Sequence, residues 1–301
     1  MLTTPIEHHA VLEPLETLAH QGFELEFVPV DGEGRVSPQE LEKRLRSDTI
    51  LVSVMHANNE IGTIQPISEI GALCRSRGIT FHTDAVQSFG KLPVDVRAMN
   101  IDLLSIAAHK LYGPKGVGAL YQRRGVQMGR IQEGGEQEKG RRGGTLNVPG
   151  IVGLGKAVEL AMVGMRSEAD RLILLRDYFF AQVETLVPDI RINGSRTERL
   201  PLNIHLCVEG VQGESILLAL DMAGICGSAG SACSSGSTEP SHVLNAIGVS
   251  TDLARSAIRL TMGRSTTRDV LDYTLEVLAK AACDLRRLAV QPRGFGAFHK
   301  S

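Results

Sequence analysis

The sequence predicts an α/β protein: a mixed, mostly parallel sheet flanked by helices, followed by a smaller α+β domain. Two observations predict it. Strand and helix patterns alternate through the first half, the rhythm of right-handed crossovers. The apolar strands there are nearly continuous rather than alternating, as expected of strands covered on both faces.

Residues 25–30 read as the first strand, with a turn at Asp31-Gly32. Ser37 caps the next helix, with Pro38 in the first helical position and Glu40 three residues on as a capping box. That helix is expected to run to about Arg46. Residues 49–55 form a buried strand, and a helix over 67–76 stops at Gly78, where a left-handed cap suits glycine. Strands follow at 79–83 and 102–107. The second half changes character. Residues 151–187 are helical with a hinge expected near Gly164, then strands at 202–207 and Ala257–Thr261, and helices at Gly213–Met222, 241–247 and 267–288. These elements place a large domain at 1–165, a smaller one at 166–290 and a loose tail at 291–301.

The chain has 301 residues, 43% of them hydrophobic, enough for one large core or two modest ones. A formal charge of -2, interspersed signs and the absence of Trp argue against a nucleic-acid partner. No apolar run reaches the length of a membrane span and no signal peptide is visible, so neither membrane nor export is expected. The five cysteines are odd in number and scattered, which suits reduced thiols in the cytoplasm. Cys226 and Cys233 lack a CxxC pair or clustered histidines, so no metal is expected.

Ligands of such sheets gather at the carboxyl ends of the strands. Asn58-Asn59-Glu60, Asp84 with Gln87, and His109-Lys110 fall there. An apolar strand delivers Lys110 into the glycine-rich turn 113–116. A desolvated amine there suits covalent chemistry with a carbonyl, the alternative being an inert lysine facing solvent. Asp84 suits pairing with a protonated ring nitrogen, or capping of the turn at Val86. Residues 227–237 are nearly all small, so Cys233 should be an exposed thiol on a movable loop, or an incidental cysteine in a linker. Cys226 reads as buried packing. Arg259, on an apolar strand, requires an anion, either a substrate carboxylate or a structural partner.

Several phrases taken together resemble the cysteine desulfurases. They are Glu7-His8-His9-Ala10-Val11, Met55-His56-Ala57-Asn58-Asn59-Glu60-Ile61-Gly62 and His82-Thr83-Asp84-Ala85-Val86-Gln87-Ser88. His109-Lys110-Leu111-Tyr112-Gly113-Pro114-Lys115-Gly116, Arg142-Gly143-Gly144-Thr145 and Ser231-Ala232-Cys233-Ser234-Ser235-Gly236-Ser237 continue the match in the family's order, from residue 7 to about 285.

The resemblance implies a fold-type-I enzyme with pyridoxal 5'-phosphate on Lys110. It implies that Asp84 pairs with the ring nitrogen, that His8 stacks on the ring and moves protons, and that His109 reaches the phosphate. Asn59 and Gln87 would contact the phenolic side, with Asn59 also near substrate. Thr145 would reach the phosphate of a neighbouring subunit, which implies a homodimer. Arg259 would hold the carboxylate of L-cysteine, and Cys233 would take its sulfur as a persulfide for an acceptor such as an iron–sulfur scaffold or a thiolation enzyme. Ala107 departs from the serine usual in the family, a lost hydroxyl contact worth roughly 1–2 kcal/mol. The family's opening segment, with a Gly-Ala-Thr-Glu turn that holds phosphate at a helix N-terminus, has no counterpart here, so a shortened chain is expected. The rival readings are an inactive remnant or dimerising partner of a full-length desulfurase, and a selenocysteine lyase.

Overall fold

The computed structural model describes residues 1–230 and 240–290. It divides into two units, the first comprising Met1–Arg171 and Gly194–Pro201, the second Leu172–Asn193 and the chain from Leu202 onward.

The first unit contains β1 (Leu2–Thr3), α1 (His9–His20), β2 (Glu26–Phe27), α2 (Pro38–Arg44), β3 (Leu51–Ser53), α3 (Ile67–Arg77), β4 (Thr80–Asp84) and β5 (Leu103–Ala107). A 3-10 turn at Ala108–Leu111 follows, then β6 (Gly118–Gln122), the small hairpin β7 (Glu136–Gln137) and β8 (Arg142–Gly143), and α4 (Val148–Leu186), which from Leu172 onward belongs to the second unit. Its main sheet has the order β2-β1-β3-β4-β5-β6, parallel except for the last pair. Ser37 Oγ accepts the Glu40 N–H at 3.3 Å and Pro38 opens α2, which ends two residues earlier than its pattern suggests. Gly78, at φ 67°, closes α3 in the left-handed region. The six-residue strand expected at 25–30 shrinks to two exposed residues, because it lies at the sheet edge against an equally short β1, and Pro29 has no N–H to extend the ladder.

Val52, Val54, Ile70, Cys74, Phe81 and Leu104 form the core beneath this sheet. A Cβ on Gly71 of α3 would lie 3.3 Å from Phe81 Cδ1, so Phe81 faces α3. The two-residue period of a strand then turns His82 and Asp84 to the opposite face.

The second unit contains β9 (Ile190–Ile192), β10 (Asn203–Val208), α5 (Gly213–Met222), α6 (His242–Ala246), α7 (Thr251–Ala254), β11 (Ala257–Thr261) and α8 (Arg268–Val290). The antiparallel order β11-β10-β9 carries a core of Ile204, Leu206 and Ile258 against Phe179, Val183, Ile216, Leu275 and Leu278.

Three expectations change. Residues 194–201 return to the first unit, so one division near residue 165 does not describe the chain; Ile64 N–H donates to Glu198 O and Leu200 N–H to Gly62 O, both at 2.9 Å. Such pairing between segments so distant in sequence leaves no local pattern. Helix α4 runs unbroken for 39 residues with Gly164 inside it, so there is no hinge there. By length and composition α4 also qualifies as a membrane span, contrary to the reading that no run does. The long core helix of a soluble protein passes the same test, so no membrane partner follows from it.

Candidate active site

Asp84 is the last residue of β4 and lies beside Ser105 of β5 in the parallel register. A polar row crosses the same face: Ser53 Oγ is 2.7 Å from His82 Nδ1, and His82 Nε2 is 3.0 Å from Ser105 Oγ. Asp84 is 8% exposed, and its Oδ1 accepts the Val86 N–H at 2.8 Å. It therefore caps the following turn while presenting a buried carboxyl at the strand end. Burial raises that carboxyl above its ordinary range, and the charges of His8 and Lys110 pull it back down. His8, Asp84 and Lys110 thus share one electrostatic neighbourhood.

Lys110 is exposed on the 3-10 turn that continues β5. The turn is held by Ala108 N–H to Val117 O at 3.1 Å and Gly113 N–H to Ala108 O at 2.9 Å. A Cβ on Gly113 would lie 2.9 Å from Ala108 O and 3.1 Å from Ala157 Cβ, so only glycine fits this close crossing. His109 is exposed too, and partial burial, then the Lys110 and Lys115 charges, disfavour its protonated form.

His8 caps α1, its Nδ1 accepting the Ala10 N–H at 3.1 Å, which puts the proton of the neutral ring on Nε2. Asn59 is half-buried and stands on a turn made by Asn58, whose Oδ1 accepts the N–H of Glu60 at 2.8 Å and of Ile61 at 2.9 Å. The same amide donates from Nδ2 to Ile6 O at 2.8 Å, tying the Asn59 turn to the segment that carries His8. Gln87 is half-buried three residues past Asp84. Its carbonyl accepts from Lys91 Nζ at 2.8 Å, and burial, helped by the Lys110 charge, pushes the Lys91 amine down to about 8.

The other expected residues stand on other elements. Thr145 is exposed, two residues beyond β8. Arg259 lies half-buried on β11 in the second unit, in register with His205 of β10. Cys233 lies outside the described residues. Cys226 is exposed rather than buried, because it follows the end of α5 instead of sitting in a strand. Lys91, Glu7 and the Ser53–His82–Ser105 row escaped the sequence reading. Glu7, His82 and Lys91 stood within or next to the matched phrases, but nothing in their spacing marks them as buried polar groups.

The donor set fits pyridoxal phosphate. Lys110 offers an exposed amine for the aldehyde, and Asp84 offers a buried carboxyl at a strand end for a ring N–H, with the His8 charge acting on it.

The profile of the class-V aminotransferases matches residues 1–273. The chain is 54% identical over 289 residues to a protein named cysteine desulfurase IscS from Dictyoglomus turgidum, covering 96% of this chain and 73% of that one. It is 50% identical over 291 residues to the protein of the same name from Clostridium botulinum, with 96% and 73% covered. A solved NifS-like protein superposes with a TM-score of 0.87 at 37% identity, covering 94% of this chain and 75% of that one. The fold is that of a pyridoxal-phosphate enzyme of fold type I, and the chain belongs to the class-V aminotransferase family. Within that family it is a member of the cysteine desulfurases.

The buried imidazoles give the protein an acid limit. Burial pushes both His56 and His82 down to about 4. Between that value and the ordinary one near 6.5 the unfolded chain binds more protons, so stability is lost as pH falls through this window. Thermal midpoints measured between pH 6.5 and 4 should fall, and His82→Gln should flatten the fall; an unchanged slope in the variant would count against a neutral His82.

Proposed function

We propose that this chain removes sulfur from L-cysteine, giving L-alanine and a persulfide on Cys233. The observation that carries the reading is the placement of Asp84, Lys110 and His8 in one neighbourhood at the carboxyl end of the sheet, in a member of the cysteine desulfurases.

Bound pyridoxal phosphate would supply an aldehyde for amines and an electron sink once its ring nitrogen is protonated. Lys110 would hold it and then move the substrate α-proton. Asp84 would keep the ring nitrogen protonated, with His8 on the ring face and Asn59 and Gln87 at its phenolic side. His109 would reach the phosphate, and Arg259 would fork the substrate carboxylate. The Cys233 thiolate would attack the substrate sulfur. The S–S bond forms, the C–S bond breaks with its electron pair left on carbon, and proton delivery to that carbon completes alanine.

The apolar residues Val148, Val152 and Val163 on α4 are 58%, 66% and 87% exposed, the kind of surface a second subunit covers. This supports a homodimer to which Thr145 contributes across the interface. A cytoplasmic enzyme feeding an iron–sulfur scaffold or a thiolation enzyme is the setting that suits this chemistry. The test is to supply pyridoxal phosphate and L-cysteine and to measure alanine and sulfide under a reductant. Equimolar products support the reading; a folded chain releasing neither points to a non-catalytic partner of a complete desulfurase. Turnover of selenocysteine alone points to a lyase for selenium.

A further inference from the structure

We infer that Glu7 is a positioning residue of this site: its buried carboxyl clasps the segment carrying His8 to the end of β3 and so sets His8 beside Asp84. The inference rests on the functional reading above. Glu7 is 0% exposed, and one oxygen, Oε1, accepts both the Thr4 hydroxyl at 2.6 Å and the Met55 N–H at 2.9 Å. The clasp connects two parts of the site by a short route. His8 is the next residue in sequence. On the other side Met55 precedes His56, whose N–H donates to Asp84 O at 2.9 Å.

Two further bonds stitch the same segment down, Thr3 Oγ1 to Ser53 O at 2.9 Å and Asn58 Nδ2 to Ile6 O at 2.8 Å. Glu7 is the tie next to His8, which caps α1. The residue before a catalytic imidazole is held by a side chain with no solvent exposure, which leaves His8 little backbone freedom.

A carboxyl in this place has a second consequence. Burial pushes Glu7 up to about 8; the Asp84 charge acts in the same direction, and the Thr4 and Met55 hydrogen bonds oppose it. The groups facing it are the neutral Thr4 hydroxyl from its own segment, the Met55 amide past β3 and Asp84 from β4, on which His8 and Lys110 act in turn. At neutral pH Glu7 is therefore mainly the neutral acid and adds no charge of its own beside Asp84. The pKa is raised above its unfolded value, so the folded protein holds the extra proton between about 4.5 and 8, and stability falls as pH rises through that window. Above pH 6.5 the contributions of His56 and His82 are complete, and that of Lys91 begins only near 8.

The experiment compares the wild-type chain with Glu7→Gln and Glu7→Ala. Thermal midpoints of the cofactor-free protein are measured at pH 6.5 and 8, and affinity for added pyridoxal phosphate is titrated at pH 7 by absorbance. The wild-type midpoint should fall between the two pH values by about 3 °C or more relative to Glu7→Gln. Glu7→Gln, which keeps an acceptor oxygen, should bind pyridoxal phosphate within about threefold of wild type, and Glu7→Ala about tenfold or more weaker. Equal pH slopes in wild type and Glu7→Gln, or undiminished affinity in a folded Glu7→Ala, would overturn the inference. If Glu7→Ala does not fold, the Glu7→Gln slopes decide it. A wild-type chain that binds no pyridoxal phosphate sinks the functional reading, while the pH slopes still decide whether Glu7 is the buried clasp.

Discussion

Replacing Lys110 by alanine should abolish both sulfide release from L-cysteine and the visible absorbance of covalently held cofactor. The loss of turnover should be at least about 10³-fold, because the same amine has to bind the aldehyde and move the α-proton. The prediction separates two lysines. Lys110 is exposed on the turn after β5 and its charge acts on Asp84, whereas Lys91 is bound through Nζ to the Gln87 carbonyl. Lys91 is the less ordinary amine, since its environment favours the neutral, nucleophilic form near pH 8. Position decides against it: its hydrogen bond occupies the ammonium with the turn that carries Gln87, while Lys110 is free to reach a ligand. Absorbance spectra of Lys110→Ala and Lys91→Met with added pyridoxal phosphate check this. If Lys91→Met loses the band and Lys110→Ala keeps it, the assignment moves to Lys91.

Cys233→Ala should bind pyridoxal phosphate as wild type does and release no sulfide, a loss of about 10²-fold or more for removal of a nucleophile. Four other thiols are available to be wrong about. Cys74 and Cys207 are buried, and burial pushes the first up to about 12 and the second upward as well, so neither supplies a thiolate near neutral pH. Cys283 is exposed on α8 and Cys226 is exposed after α5. Exposure makes those two the controls. Mass spectrometry after a single turnover should find one added sulfur atom on the peptide containing Cys233, and Cys226→Ser and Cys283→Ser should keep full activity. Sulfur found on Cys226 in place of Cys233 would reassign the acceptor thiol.

The fold was legible wherever local chemistry decides structure. Ser37, Pro38 and Glu40 mark the start of α2, and Gly78 the end of α3, because caps are satisfied within a few residues. Helix α5 and strand β11 have the bounds their patterns give. The misreadings share a cause. Gly164 was expected to break a helix, but one glycine costs about 1 kcal/mol, which a 39-residue helix tolerates. Cys226 reads as buried by residue type, yet exposure is set by what packs over it. The edge strand β2 is short because its neighbour β1 is short, a property of the pair rather than of either segment.

The sequence by itself determined the chemistry on offer: the lysine at the end of an apolar strand, the acid before Val86, the cysteine among small residues, and the order of motifs that marks a cysteine desulfurase. Those are choices of residue type and spacing, and the chain carries them whatever its shape. Only the tertiary structure decided which of them act on one another. Parallel register set Asp84 beside Ser105, a chain crossing that admits no Cβ at Gly113 set the turn of Lys110, and the Glu7 carboxyl joined the His8 segment to Met55, just past β3, across 48 residues. The physical reason is that burial and hydrogen-bond partners belong to pairs of distant segments, and these shift the carboxyls of Glu7 and Asp84 and the imidazole of His82 without leaving any local signature in the sequence.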